Sequence, residues 1–126
     1  MAKFFICKKC KKIVEVLNNA SIPTICCGEN MSELIANTVD ASGEKHLPVV
    51  SVDGNIVTVT VGSVAHPMLP EHYITWVALE TSEGILRKQL SPDTEPVAKF
   101  ALTEGEKAIA AYEYCNLHGL WKTEIN

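Results

Sequence analysis

Residues 47–61 read Leu47-Pro48-Val49-Val50-Ser51-Val52-Asp53-Gly54-Asn55-Ile56-Val57-Thr58-Val59-Thr60-Val61, and this stretch decides the fold. Two runs rich in β-branched residues, Leu47–Val52 and Ile56–Val61, flank Asp53-Gly54-Asn55, a strong hairpin signal. Further along, Tyr73–Glu80 and Ile85–Leu90 form a second pair around Thr81-Ser82-Glu83-Gly84. Val97–Leu102, bounded by Pro92, Pro96 and Gly105, reads as another strand. Short strands at this spacing predict a mainly β chain folded as an antiparallel sandwich. Ala108–Tyr114 is contested, because Thr103-x-x-Glu106 has the form of a helix capping box and the alanines favour helix. Cys115 and His118 nevertheless need a tight turn, which a final strand presents well, so a strand is expected there.

The chain has 126 residues, 47% of them hydrophobic and 21% charged, enough for one ordinary domain or a small domain with a mini-domain. No apolar run approaches the ~20 residues that span a bilayer. Met1-Ala2-Lys3-Phe4-Phe5-Ile6 is too short for a secretory segment before Cys7 and Lys8 interrupt it, so a cytoplasmic location is expected. A net charge of −4 and a pI near 5.5 argue against nucleic acid as the main partner. Composition changes near residue 37: residues 1–36 carry five lysines against three glutamates, and residues 37–126 carry six basic against twelve acidic side chains. The expected division is therefore 1–36 and 37–126, with Asn37–Gly43 as linker.

The first segment is too short to bury a useful core and needs a staple. Cys7, Cys10, Cys26 and Cys27 can supply one, and an odd total of 5 cysteines favours metal over a disulfide framework. Cys7-Lys8-Lys9-Cys10 is a C-x-x-C knuckle, and Cys26-Cys27-Gly28 adds a second pair. Structural zinc is the commonest use of four cysteines, yet zinc sites usually repeat C-x-x-C in both halves. Adjacent cysteines should distort a tetrahedron, and thiolates suit iron as well, so spacing leaves both metals open. Lys8, Lys9, Lys11 and Lys12 surround the knuckle and would favour a reduced centre or an acidic electron donor.

All 4 histidines fall in suggestive places: His46 after Glu44-Lys45, His66 before Pro67-Met68, His72 six residues on, and His118 in Cys115-Asn116-Leu117-His118-Gly119. One histidine alone is more often a satisfied polar residue than a ligand, but four beside a C-x-x-H pair point to metal. Five ligands exceed what structural zinc takes, and blue copper would use two histidines, one cysteine and a weak axial group. Four imidazoles in a plane with a thiolate below describe a square-pyramidal iron site whose sixth position is open. Such a thiolate pushes electron density toward whatever binds opposite it.

Together these motifs resemble the desulfoferrodoxin family, the two-iron class of superoxide reductase. The matching residues are Cys7-x-x-Cys10, Cys26-Cys27-Gly28, Glu44-Lys45-His46, Gly62-Ser63-Val64-Ala65-His66-Pro67-Met68, Glu71-His72-x-Ile74-x-Trp76 and Tyr114-Cys115-Asn116-Leu117-His118-Gly119. Lys11 departs from the pattern, standing where relatives often have glycine. The resemblance implies a desulforedoxin-like N-terminal domain holding a distorted tetrathiolate iron through Cys7, Cys10, Cys26 and Cys27. It implies an immunoglobulin-like β-sandwich whose iron is held equatorially by His46, His66, His72 and His118, with Cys115 axial. His118 is expected to bind through Nδ1 and the other three through Nε2. A homodimer and a rubredoxin-like electron donor are also implied.

On that resemblance the expected reaction is one-electron reduction of superoxide to hydrogen peroxide, with Lys45 drawing in the anion and Glu44 filling the vacant position of the ferric form. A non-catalytic electron-transfer protein with both irons saturated is the main alternative. A cysteine hydrolase using Cys115 and His118 would leave three histidines unexplained, and a zinc-stapled interaction module would hold one zinc rather than two irons.

Overall fold

The lysine-rich start of the chain is too short to enclose much of its apolar material, and its strands are correspondingly short. In the computed structural model, which describes residues 2–126, the chain divides into two units, the first ending at Ile35 and the second running Ala36–Asn126. In the first, β1 (Phe4–Ile6), β2 (Ile13–Glu15), β3 (Ile25–Cys26), β4 (Glu29–Asn30) and β5 (Ser32–Glu33) make two small sheets, ordered β2-β1-β5 and β3-β4. Its buried hydrophobic residues, among those described, are Phe4, Cys7 and Met31, while Leu17, Ile22 and Ile25 are exposed. Each fully buried apolar side chain contributes about 1.5–3 kcal/mol. Ordering the backbone costs about 1–2 kcal/mol per residue, so so small a core needs a further cross-link.

The second unit contains a single helical turn, α1 (Gly43–His46), and seven strands: β6 (Pro48–Asp53), β7 (Ile56–Val61), β8 (Ile74–Thr81), β9 (Gly84–Gln89), β10 (Val97–Ala101), β11 (Ala108–Cys115) and β12 (Gly119–Glu124). They form a three-stranded sheet, β10-β7-β6, and a four-stranded sheet, β12-β11-β8-β9, with every pairing antiparallel. The expected β-sandwich is present, and Ala108–Cys115 is a strand rather than a helix. Lys45 stands on α1, because Leu47 donates its N–H to the Gly43 carbonyl at 2.9 Å and closes one turn.

Side chains on β7 alternate in burial, and Val57, Val59 and Val61 are fully buried. They meet Val77 and Leu79 of β8, Ala98 and Phe100 of β10, and Ala111 and Cys115 of β11 in one core. Asp53 pairs with Ile56, leaving Gly54-Asn55 as a two-residue turn, and Gly54 takes the positive φ of 60° that its first position requires. Pro48 opens β6, an edge strand, where its missing N–H costs no ladder bond. The segment read as a linker is tied down: Asn37 accepts from Lys122 N at 2.9 Å, and its side-chain amide donates to the Lys122 carbonyl at 3.1 Å.

Beside the site the ladder is irregular. Tyr114 pairs with Trp76, but Cys115 pairs with Ile74, so Thr75 is an extra residue on β8. This bulge turns Ile74 and Cys115 into the core together. No helix among the described residues is long and apolar enough to cross a membrane.

Candidate metal centres

Five donors converge at one end of the sandwich because the topology brings their carriers there. His46 ends α1 just before β6, His66 and His72 lie between β7 and β8, Cys115 ends β11, and His118 occupies the turn into β12. The ligating atoms of His46, His66, His72, Cys115 and His118 all lie within 4.8 Å of one another. The imidazoles form a closed ring: centroids are 4.7 Å apart for His46–His66, 4.8 Å for His66–His72, 5.1 Å for His72–His118 and 4.8 Å for His118–His46. Successive rings meet edge to face, at 74° to 85°.

The hydrogen bonds around this ring leave lone pairs facing inward. His46 Nδ1 lies 2.7 Å from the Ser42 carbonyl, and His66 Nδ1 lies 2.7 Å from the Pro67 carbonyl. A carbonyl only accepts, so each Nδ1 carries the proton and each Nε2 offers a lone pair. Those two Nε2 atoms nevertheless stand 3.1 Å apart with no proton to share. His46 Nε2 is also 3.1 Å from His118 Nδ1, and the buried Nε2 of His72 has no partner. A cation in the middle answers all of this. Adjacent nitrogens at ~2.1 Å from one metal stand ~3.0 Å apart, close to the spacing seen.

Burial favours the neutral form of His46, His66 and His72, which is the form that ligates. Desolvation lowers His46, takes His66 down to about 4, and lowers His72. The Lys45 charge pushes His46 and His72 the same way, so Lys45 acts on the ring although its own side chain is exposed. Cys115 is fully buried, and desolvation raises its thiol while the N–H groups of Leu117 and His118 oppose that rise. Its neighbour on the same face of β11, Glu113, is buried with both carboxylate oxygens unpartnered, and burial pushes it up to about 9.

In the first unit Cys7, Cys10, Cys26 and Cys27 also lie with their sulfurs within 4.8 Å of one another. Cys10 and Cys26 sulfurs are 3.6 Å apart, and those of Cys26 and Cys27 are 4.0 Å apart. Four sulfurs placed tetrahedrally at ~2.3 Å from a metal would stand ~3.8 Å apart. The knuckle N–H of Cys10 points at Cys7 Sγ, 3.5 Å away, and such donation lowers Cys7 to about 6. Cys27 is pushed up to about 12 by the neighbouring thiols, Cys10 foremost. Lys11 has a φ of 69° and Cys27 one of 51°, both in the region that favours glycine. Lys9 pairs loosely with Glu29 at 3.9 Å, and both are well exposed.

Every cysteine and histidine singled out from the sequence is therefore in one of the two groups, while Glu44 and Lys45 are exposed on α1 beside His46. Sequence reasoning missed the supports. Trp121 stacks on His46 at 5.0 Å and donates from Nε1 to the His118 carbonyl at 3.1 Å. Gly62 allows Glu44 and Lys45 to close over it, since a Cβ there would lie 2.3 Å from Val64 O, 2.7 Å from Lys45 O and 2.9 Å from Glu44 O. No spacing rule signals either role; both depend on contacts distant in sequence.

Known proteins resemble this chain in sequence and in fold. Residues 38–124 match the family model described as desulfoferrodoxin. A desulfoferrodoxin of Syntrophotalea carbinolica is 46% identical over 118 residues, covering 94% of this chain and 92% of its own. A protein named superoxide reductase from Thermococcus kodakarensis is 35% identical over an alignment of 103 positions that covers 68% of this chain and 90% of that protein. The crystal structure of the superoxide reductase from Treponema pallidum superposes with a TM-score of 0.84 at 44% identity, covering 98% of this chain and 99% of that one. With sequence and fold in agreement, the chain belongs to the desulfoferrodoxin family, whose two irons correspond in number to the two groups able to bind metal.

Proposed function

We propose that this chain is a superoxide reductase, an oxidoreductase that adds one electron and two protons to superoxide and releases hydrogen peroxide. The observation that carries the reading is the ring of inward-facing imidazole lone pairs backed by the buried Cys115, with no sixth protein donor in the group among the described residues. The relatives bearing the name superoxide reductase support it. The donors His46, His66, His72, His118 and Cys115 would hold the second iron, and Cys7, Cys10, Cys26 and Cys27 the first. Bound in the histidine ring, iron supplies the single electron the reaction needs.

The remaining work belongs to the chain. The Ser42 and Pro67 carbonyls orient His46 and His66, so the ring keeps its shape through a change of charge at its centre. Cys115 would hold the iron as a thiolate, and its electron donation would favour release of the protonated product. Lys45 supplies positive charge at the ring and draws the small anion inward. Glu44, on the same turn, would serve as a further ligand between turnovers.

This reading brings a rubredoxin-like donor, a homodimer and a cytoplasmic setting with it. It divides the labour as expected: a desulforedoxin-like domain over 1–36 holds the tetrathiolate iron, and 37–126 is the catalytic sandwich. The test is to load the protein with two irons, add azide to the oxidised form, and mix the reduced form rapidly with superoxide. An azide-dependent spectral change and bimolecular oxidation by superoxide are expected. A spectrum indifferent to azide with no oxidation would leave a saturated electron-transfer protein instead.

A further inference from the structure

Three of the five donors in the second unit reach the centre through two separate loops, and one side chain joins them. Asn116 lies between Cys115 and His118, and its N–H donates to the Tyr73 carbonyl at 3.2 Å. Its side-chain oxygen accepts from Tyr73 N at 2.9 Å, and its side-chain amide donates to the Glu71 carbonyl at 3.0 Å. These three bonds straddle His72, gripping the residue on either side of it.

His72 needs that grip more than its neighbours do. His46 and His66 are oriented through Nδ1 by carbonyl oxygens, and His118 has its own carbonyl held by Trp121. The His72 ring has an unpartnered, buried Nε2, and the bonds that fix the residue are through its backbone, exchanged with Leu69 at 2.9 and 3.0 Å. That exchange makes a tight turn but does not tell the turn where Cys115 lies.

We propose that Asn116 is a positioning residue that sets His72 in register with Cys115 and His118, so that the metal finds its ligands already gathered. The amide suits this task because it presents one acceptor and one donor to a backbone N–H and a backbone C=O two residues apart, as a neighbouring strand would. Asp at this position keeps the acceptor but sets a second oxygen against the Glu71 carbonyl, and Ala keeps neither. The inference deepens the reading of this group as a metal centre and does not depend on superoxide being the substrate.

The test uses the full chain loaded with ferrous iron and titrated with a competing chelator, alongside the spectrum of the oxidised second centre and the melting temperature. Asn116→Ala should lower affinity at the second centre by about 10–100-fold, the usual effect of removing an orienting partner. It should alter the ferric spectrum, while the first centre, in the same molecule, keeps its affinity. Asn116→Asp, nearly the same shape, should fall between the wild type and Asn116→Ala and guards against a variant that fails to fold. Unchanged affinity and an unchanged ferric spectrum in either folded variant would overturn the proposal, even if melting temperature dropped, because that pattern is a structural role alone. Loss of superoxide reactivity with affinity intact would also contradict it. A second centre that binds iron tightly in the wild type yet never reacts with superoxide would sink the functional reading and leave this inference standing.

Discussion

Lys45 carries a single charge on an exposed turn, and that charge reaches both His46 and His72. Removing it should slow the reaction with superoxide without disturbing the metal. For Lys45→Ala, the second-order rate at low ionic strength should fall severalfold, up to roughly tenfold, and its dependence on salt should weaken. An unchanged rate at low salt would exclude steering. Gly62 acts on the same turn from beneath. With three backbone oxygens within 2.9 Å of the place a Cβ would occupy, and a φ of 84°, Gly62→Ala must displace backbone. We expect a loss of about 1–3 kcal/mol in denaturant unfolding and weaker metal binding at the second centre. A variant as stable as the wild type would show that the turn can move freely.

At the scale of elements, the turn joining β10 to β11 illustrates what sequence could and could not convey. Thr103-x-x-Glu106 makes only half of a capping box: Glu106 accepts from Thr103 N at 3.0 Å, but Thr103 Oγ1 donates to the same carboxylate at 3.1 Å, and Glu106 N goes to the Thr103 carbonyl instead of the hydroxyl. No helix follows, because Glu106 also accepts from Thr81 Oγ1 at the end of β8 and so closes a turn between strands. These donors hold Glu106 below its ordinary 4.5, the Thr81 hydroxyl foremost. A carboxyl depressed in the folded state adds stability above its unfolded pKa and loses it as pH falls through the folded one. The melting-temperature gap between wild type and Glu106→Gln should therefore be largest near neutral pH and narrow as the pH falls below 4.5 and through the depressed folded value. A gap that stays constant into acid would deny the link. The hairpin at Gly54-Asn55 was legible because its signal is local, as was the alternation along β7. The bulge at Thr75 was not, since it depends on where β11 pairs, and neither was α1, whose four residues carry no helical periodicity.

For the whole molecule, the nine residues that gather into the two groups were singled out from the sequence, but not the reason they converge. For the five in the second unit that reason is topological: antiparallel strands return three separate segments to one end of the sandwich, where Asn116, Trp121 and Gly62 secure them. Each unit has its own donors, and the Thermococcus kodakarensis relative matches over 68% of this chain while spending 90% of its own length. Cys10→Ser should thus remove one of the two irons and loosen the first unit, leaving iron binding at the second centre intact. Metal analysis and the spectrum of the second centre check this; loss of both irons would show that the centres are not independent.

The central claim concerns what happens to superoxide, and product stoichiometry tests it most directly. Chemically reduced, two-iron protein should be mixed with a known pulse of superoxide while hydrogen peroxide and oxygen are measured together. Reduction predicts one hydrogen peroxide for each superoxide consumed and no oxygen, with the second centre oxidised in step. Oxygen appearing alongside half as much peroxide would mean dismutation, and consumption without oxidation of that centre would contradict the account outright.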